Sequence, residues 1–120
     1  MTSIEKNYQD YLESEWAKCD LDLGHDHKLR FTKCGGPGVP YYAKCGAIVM
    51  HRRADGTLCE GSIMFDLQGL REVFTHRAFW TVDKWDPLTL SPSLLCKALL
   101  AGGSECGDHG YIREGRWAPV

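Results

Sequence analysis

Cys106-Gly107-Asp108-His109 has the spacing of half a zinc site. A thiolate and an imidazole with two residues between them, one a glycine, can turn toward one tetrahedral centre. The other ligands must then come from earlier cysteines. Cys96 follows the apolar segment 88–95, and Gly102-Gly103 let the chain fold back from it toward Cys106. Cys34 and Cys45 each precede a glycine, and Cys45-Gly46 enters a strand-like segment directly, which holds the thiol more rigidly. The expected ligands are therefore Cys45, Cys96, Cys106 and His109, with Cys34 as the substitute for Cys45 and Zn2+ as the ion. Cys19 and Cys59 read as small buried hydrophobes.

A closed set of four protein ligands makes such a site structural, whereas three ligands and a bound water make it hydrolytic. In the second case Asp108 or Glu105, beside the ligands in sequence, is the candidate general base. Other motifs carry less. Cys34-Gly35-Gly36 lacks the Gly-Lys-Ser/Thr ending of a phosphate loop, and Ser91-Pro92-Ser93 lacks the glycines of a nucleophile elbow. His25-Asp26-His27 reads as a surface turn. His51, Arg52, Arg53, Arg71, His76 and Arg77 could form a basic face, with Phe79 and Trp80 nearby for stacking on bases. The neighbouring Asp55, Glu60 and Glu72 favour a solvated, balanced sheet face instead.

The elements that must position these residues follow from periodicity. Ile4, Tyr8, Tyr11, Leu12 and Trp16 recur at steps of three and four, which predicts a helix over residues 3–18, with Thr2 and Glu5 as a capping box. Beyond Gly24 the pattern changes to short alternating runs between turn formers. Strands are expected at 29–33, 40–44, 47–53, 58–67, 74–85 and 111–117. Ala54-Asp55-Gly56 is the best hairpin turn, and Glu114-Gly115 is a second. The expected fold is α+β: one domain over 1–120, with an N-terminal helix at 1–18 and a mainly antiparallel β body at 29–120 stapled by zinc. Trp85 and Trp117 bracket the ligand region and are expected to be buried beside it.

Two stretches also resemble a known family. Trp85-Asp86-Pro87-Leu88-Thr89-Leu90-Ser91-Pro92-Ser93-Leu94-Leu95-Cys96 and Cys106-Gly107-Asp108-His109-Gly110-Tyr111-Ile112-Arg113-Glu114-Gly115-Arg116-Trp117 resemble small uncharacterised phage and prophage proteins, some of them labelled ammonia monooxygenase. The resemblance implies a small β-rich zinc protein in a phage setting, supports Cys106, His109 and Cys96 as ligands, and implies no activity.

Composition narrows the classes of function. A net charge of -2 argues against a protein whose main task is to coat nucleic acid. No uncharged run approaches the roughly 20 apolar residues of a membrane span. Acidic residues interrupt the first 15 positions, so no secretory signal is expected and the setting reads as cytoplasmic, in the host cell or in a virion. Six cysteines in such a setting point to metal ligands or buried thiols, with disulfides as the account for a secreted protein. The expected function is a non-catalytic, zinc-stabilised domain that binds another protein, whether a host, defence or virion component or a second copy. The alternatives are the mono-zinc hydrolase and a nucleic-acid module built on Arg52, Arg53 and Arg77.

Overall fold

The computed structural model describes residues 2–100 and 102–120. The helix forms as its periodicity requires, as α1 (Ser3–Trp16). Thr2 Oγ1 accepts from the Glu5 N–H at 3.1 Å, and Glu5 Oε1 accepts from the Thr2 N–H at 3.3 Å, so each side chain satisfies a backbone donor that the first turn leaves free.

Among the described residues nine strands follow in two sheets. The larger has the order β1 (Leu21–Gly24), β2 (His27–Gly36), β3 (Val39–Arg52), β4 (Leu58–Phe65), β5 (Phe79–Trp85), β6 (Leu88–Ser91). All neighbours in it are antiparallel except β4 and β5, which run parallel and pair only through Met64–Phe79 and Phe65–Trp80. The smaller sheet is β7 (Leu94–Leu95), β8 (His109–Arg113), β9 (Arg116–Pro119). A short helix, α2 (Leu70–Val73), interrupts the connection between β4 and β5.

The expected α+β architecture is present, with β1, β6, β7 and α2 added to it and with changes of detail. Residues 40–44 and 47–53 fall largely within one long strand, residues 74–78 are not strand, and 111–117 is a hairpin rather than a single strand. Glu114 and Gly115 both have positive φ, at 50° and 72°, the backbone of a tight primed turn. Asp55-Gly56 turns the β3–β4 hairpin as its sequence demands, with the Arg53 N–H bonded to the Thr57 carbonyl at 2.8 Å.

Alternation along β3 separates two cores. Ala47 and Val49 face the small sheet and join Leu23, Leu29, Phe65, Leu90, Ile112 and Trp117. Ile48 and Met50 face the other way and pack with Leu58, Leu12 and Trp16 under α1. The helix thus covers the large sheet with its C-terminal half, Leu12 fully buried, while Ile4 remains 79% exposed. The Arg52 guanidinium forks onto both Glu13 carboxylate oxygens at 2.8 Å, which fixes the helix against the hairpin.

Candidate metal centre

The hairpin turn at Asp55-Gly56 dictates the first half of the site. Counting back from the Arg53–Thr57 pair places His51 opposite Cys59, and the next strand places His27 opposite His51. Side chains at paired positions share a sheet face. All three have the parity of Val49 and therefore face the small sheet, where His27, His51 and Cys59 are buried. The second half comes from the segment between β7 and β8. The Cys96 N–H bonds the Asp108 carbonyl at 2.8 Å and the Gly107 N–H bonds the Cys96 carbonyl at 3.0 Å, which folds Cys106 back over the sheet.

Four donors converge: His51, Cys59, Cys96 and Cys106 offer ligand atoms that all lie within 4.8 Å of one another. Cys59 Sγ is 3.4 Å from Cys96 Sγ, and Cys106 Sγ is 3.5 Å from His51 Nε2. A tetrahedral zinc site with ordinary bond lengths has S–S edges of about 3.8 Å and S–N edges of about 3.6 Å. The cluster needs only small adjustments to close on such an ion.

The surroundings suit a cation bound by thiolates. Burial lowers the His51 pKa, against the opposing pull of Asp108, and so favours the neutral imidazole that metals bind. Burial likewise pushes the Cys96 thiol up to about 12, so a cation is needed to hold it as a thiolate at neutral pH. Arg53 is the decisive neighbour. Burial works against its charge, but Cys106 and Cys59 beside it outweigh that and raise its pKa. Its Nε is buried with no hydrogen-bond partner among the described residues. A divalent ion on three thiolates and one imidazole leaves a single negative charge, which this guanidinium cancels.

His27, Asp108 and Trp117 pack behind the donors. The His27 Nδ1–H donates to the His25 carbonyl at 2.6 Å, and Nε2 shares a proton with Asp108 Oδ2, also at 2.6 Å. The His27 ring stacks between Trp117, at a centroid distance of 3.9 Å, and His51, at 5.3 Å. Trp117 can lie so close only because residue 110 is glycine, since a Cβ there would collide with the indole. His27, His51 and Asp108 also bring three donor atoms within 4.8 Å, although the direct His27–Asp108 bond fills the space between two of them.

No family model, no curated protein and no solved structure matches this chain.

The structure brings together two of the four expected ligands, Cys96 and Cys106, and places the other two elsewhere. Cys45 lies six residues before His51 on β3, roughly 20 Å along the strand. It packs there with Met64, Leu70 and the substitute candidate Cys34. His109 is already inside β8, where Gly110 and Ile112 face the core, so alternation turns its ring to the opposite side. Its Nε2 meets Ser93 Oγ at 2.8 Å. His51 and Cys59 take the vacated places. The signal for them was the Asp-Gly turn, whose pairing register sets them opposite each other.

One further expectation is corrected, and the residues of two alternatives are located. Trp117 is buried beside the cluster as expected, but Trp85 is 45% exposed and meets Phe65 edge-on, away from the site. Asp108 is engaged by His27, and Glu105 is exposed. Arg52, Arg53 and Arg77 do not form one basic face: they turn to Glu13, the cluster thiols and Ser62 respectively. Among the described residues no helix is long and apolar enough to cross a membrane.

Proposed function

We propose that this protein is a non-catalytic interaction domain whose two sheets are stapled by one zinc ion at His51, Cys59, Cys96 and Cys106. The observation that carries this reading is the convergence of four soft donors, two from the β3–β4 hairpin and two from the segment that leads into β8. Three thiolates and an imidazole favour zinc over harder cations, and four protein ligands leave no coordination position for water or substrate. The Arg53 charge, with its unpartnered Nε, supports thiolates at this place rather than neutral thiols. The resemblance of residues 85–96 and 106–117 to the phage family supports an accessory role in that setting, as a virion component or as an inhibitor of a host protein.

Metal analysis of the native full-length protein, together with the spectrum of its cobalt-substituted form, tests the reading. One equivalent of zinc and the absorption of tetrahedral cobalt bound by thiolates are expected. Metal-free protein in which all six cysteines react freely with a thiol reagent overturns it.

A further inference from the structure

Beside the metal cluster lies a cleft of about 640 Å³. One wall is β4 from Glu60 to Ile63, and the facing wall is the segment 93–98, which contains β7. Each wall is the outer strand of its sheet at this point. On the large sheet, β5 pairs with β4 only from Met64 onward, so the edge before it is open among the described residues.

The register of the β3–β4 hairpin tells which backbone groups face that opening. Arg53 and Thr57 are hydrogen-bonded partners, so Leu58, Glu60 and Ser62 lie at the alternate positions whose N–H and C=O groups point away from β3. Leu58 bears this out. Its N–H donates to Gln9 Oε1 at 2.8 Å, and its carbonyl accepts from Gln9 Nε2 at 3.1 Å, so the glutamine amide takes the place of a neighbouring strand. Glu60 and Ser62 present the next such groups to the cleft. Across from them Trp80, Trp117, Leu94 and the 48% exposed Leu95 supply apolar surface, and the Trp80 indole N–H holds the Ser93 carbonyl at 3.2 Å.

An open strand edge faced by an apolar wall suits an extended peptide better than a compact ligand. Backbone hydrogen bonds give such a peptide affinity, and alternate side chains find the apolar wall. A strand residue fills on the order of 160 Å³, from its rise, its strand spacing and the distance between sheets, so the cleft has room for about four residues. We propose that the cleft binds an extended, apolar segment of a partner protein, which adds to the open edge of β4 at Glu60 and Ser62. This rests on the reading of the protein as an interaction domain and names where the partner sits. His51 and Cys96 line the cleft as well, so an ion in the cluster ties the β7 wall to the β4 wall and sets the width between them.

The test uses the zinc-loaded full chain and a blocked hexapeptide of alternating valine and threonine, followed by amide chemical shifts. The same peptide N-methylated at alternate residues serves as a comparison, because it keeps the side chains and loses the donors. Shifts confined to Glu60–Ile63, 93–98 and Trp80 are expected, with binding about tenfold weaker or worse for the methylated peptide as two or more hydrogen bonds are lost. Glu60→Pro removes an N–H that points only into the cleft, and with its side chain the bond from the Tyr8 hydroxyl on α1 at 3.2 Å, so it should weaken binding to a similar extent while metal content and the shifts of β2 stay unchanged. Leu95→Lys, on the opposite wall, should weaken binding without touching the edge. Equal binding of both peptides, or shifts that fall elsewhere, overturns the proposal. Metal content measured on the same samples separates the two readings: zinc bound without peptide binding sinks this inference alone, and peptide binding by metal-free protein sinks the zinc staple alone.

Discussion

Two pairs of cysteines, each with one buried and one half-buried member, lie toward opposite ends of β3, and they differ in what surrounds them. At one end Cys34 and Cys45 sit on adjacent strands, packed with Met64, Leu70 and Phe74. Burial and the neighbouring Cys34 push the Cys45 thiol up to about 12. At the other end Cys59 and Cys96 are joined by Cys106, His51 and the Arg53 guanidinium, in contact across two sheets. Both ends bury sulfur. Among the described residues the second adds an imidazole, a third thiol and donors from separate layers, a cluster that could hold an ion.

The sharpest way to break this comparison is to remove donors from the second end. Cys59→Ser and Cys106→Ser should each lose the bound metal and unfold the packing between the sheets, since structural zinc is worth on the order of 10 kcal/mol, comparable to the whole stability of a small domain. A strong chelator should do the same to the native protein. Thermal melts with metal analysis provide the check, and an unchanged melt in both variants would remove the distinction between the two ends.

Arg53→Met should come next. It keeps the aliphatic stem and removes the charge, so metal affinity should fall by roughly ten- to a hundredfold, as is usual for partners behind the ligands. Competition with a chromogenic chelator measures this, and unaltered affinity would show that the guanidinium plays no part in balancing the thiolates. Cys45→Ala should cost only about 1 kcal/mol, the scale of one small apolar group, with metal content unchanged. Denaturant melts read the loss, and any loss of metal would transfer the site to the wrong end of β3.

The smallest effect belongs to His109→Ala, which removes one side-chain hydrogen bond to Ser93 and should cost about 1 kcal/mol or less while the metal stays bound. His51→Ala should lose it. The contrast between these two variants asks whether the alternation of β8 or the spacing of Cys106 and His109 governs the choice of histidine.

Much of the frame was legible because short-range chemistry specified it. The Thr2–Glu5 box, the stripe ending at Leu12 and Trp16, and the turns at Asp55-Gly56 and Glu114-Gly115 are set by residues within a few positions of one another. Strands β1 and β6 are only four residues long and were hidden by their brevity. Trp85 looked like core because it is large, yet it ends β5 with 45% of its surface exposed. Half of the candidate cluster was missed for a different reason. Spacing along the chain suggested His109, but a strand alternates sides, and one residue decides which layer a ring enters. His51 and Cys59 are eight residues apart and adjacent in space solely through their hairpin register.

The amide of Gln9, clasped to both backbone groups of Leu58, bears on how the molecule keeps to itself in a crowded solution. An uncovered strand margin is an invitation to aggregation, since identical copies can zip together along it. Gln9 closes that margin at its start and the parallel turn of chain into β5 closes it at its end, so the stretch left bare is too short to seed a growing stack. Substituting Gln9 by alanine would lengthen it by two hydrogen-bonding groups, and the gain should register first as a loss of solubility, before any change in melting.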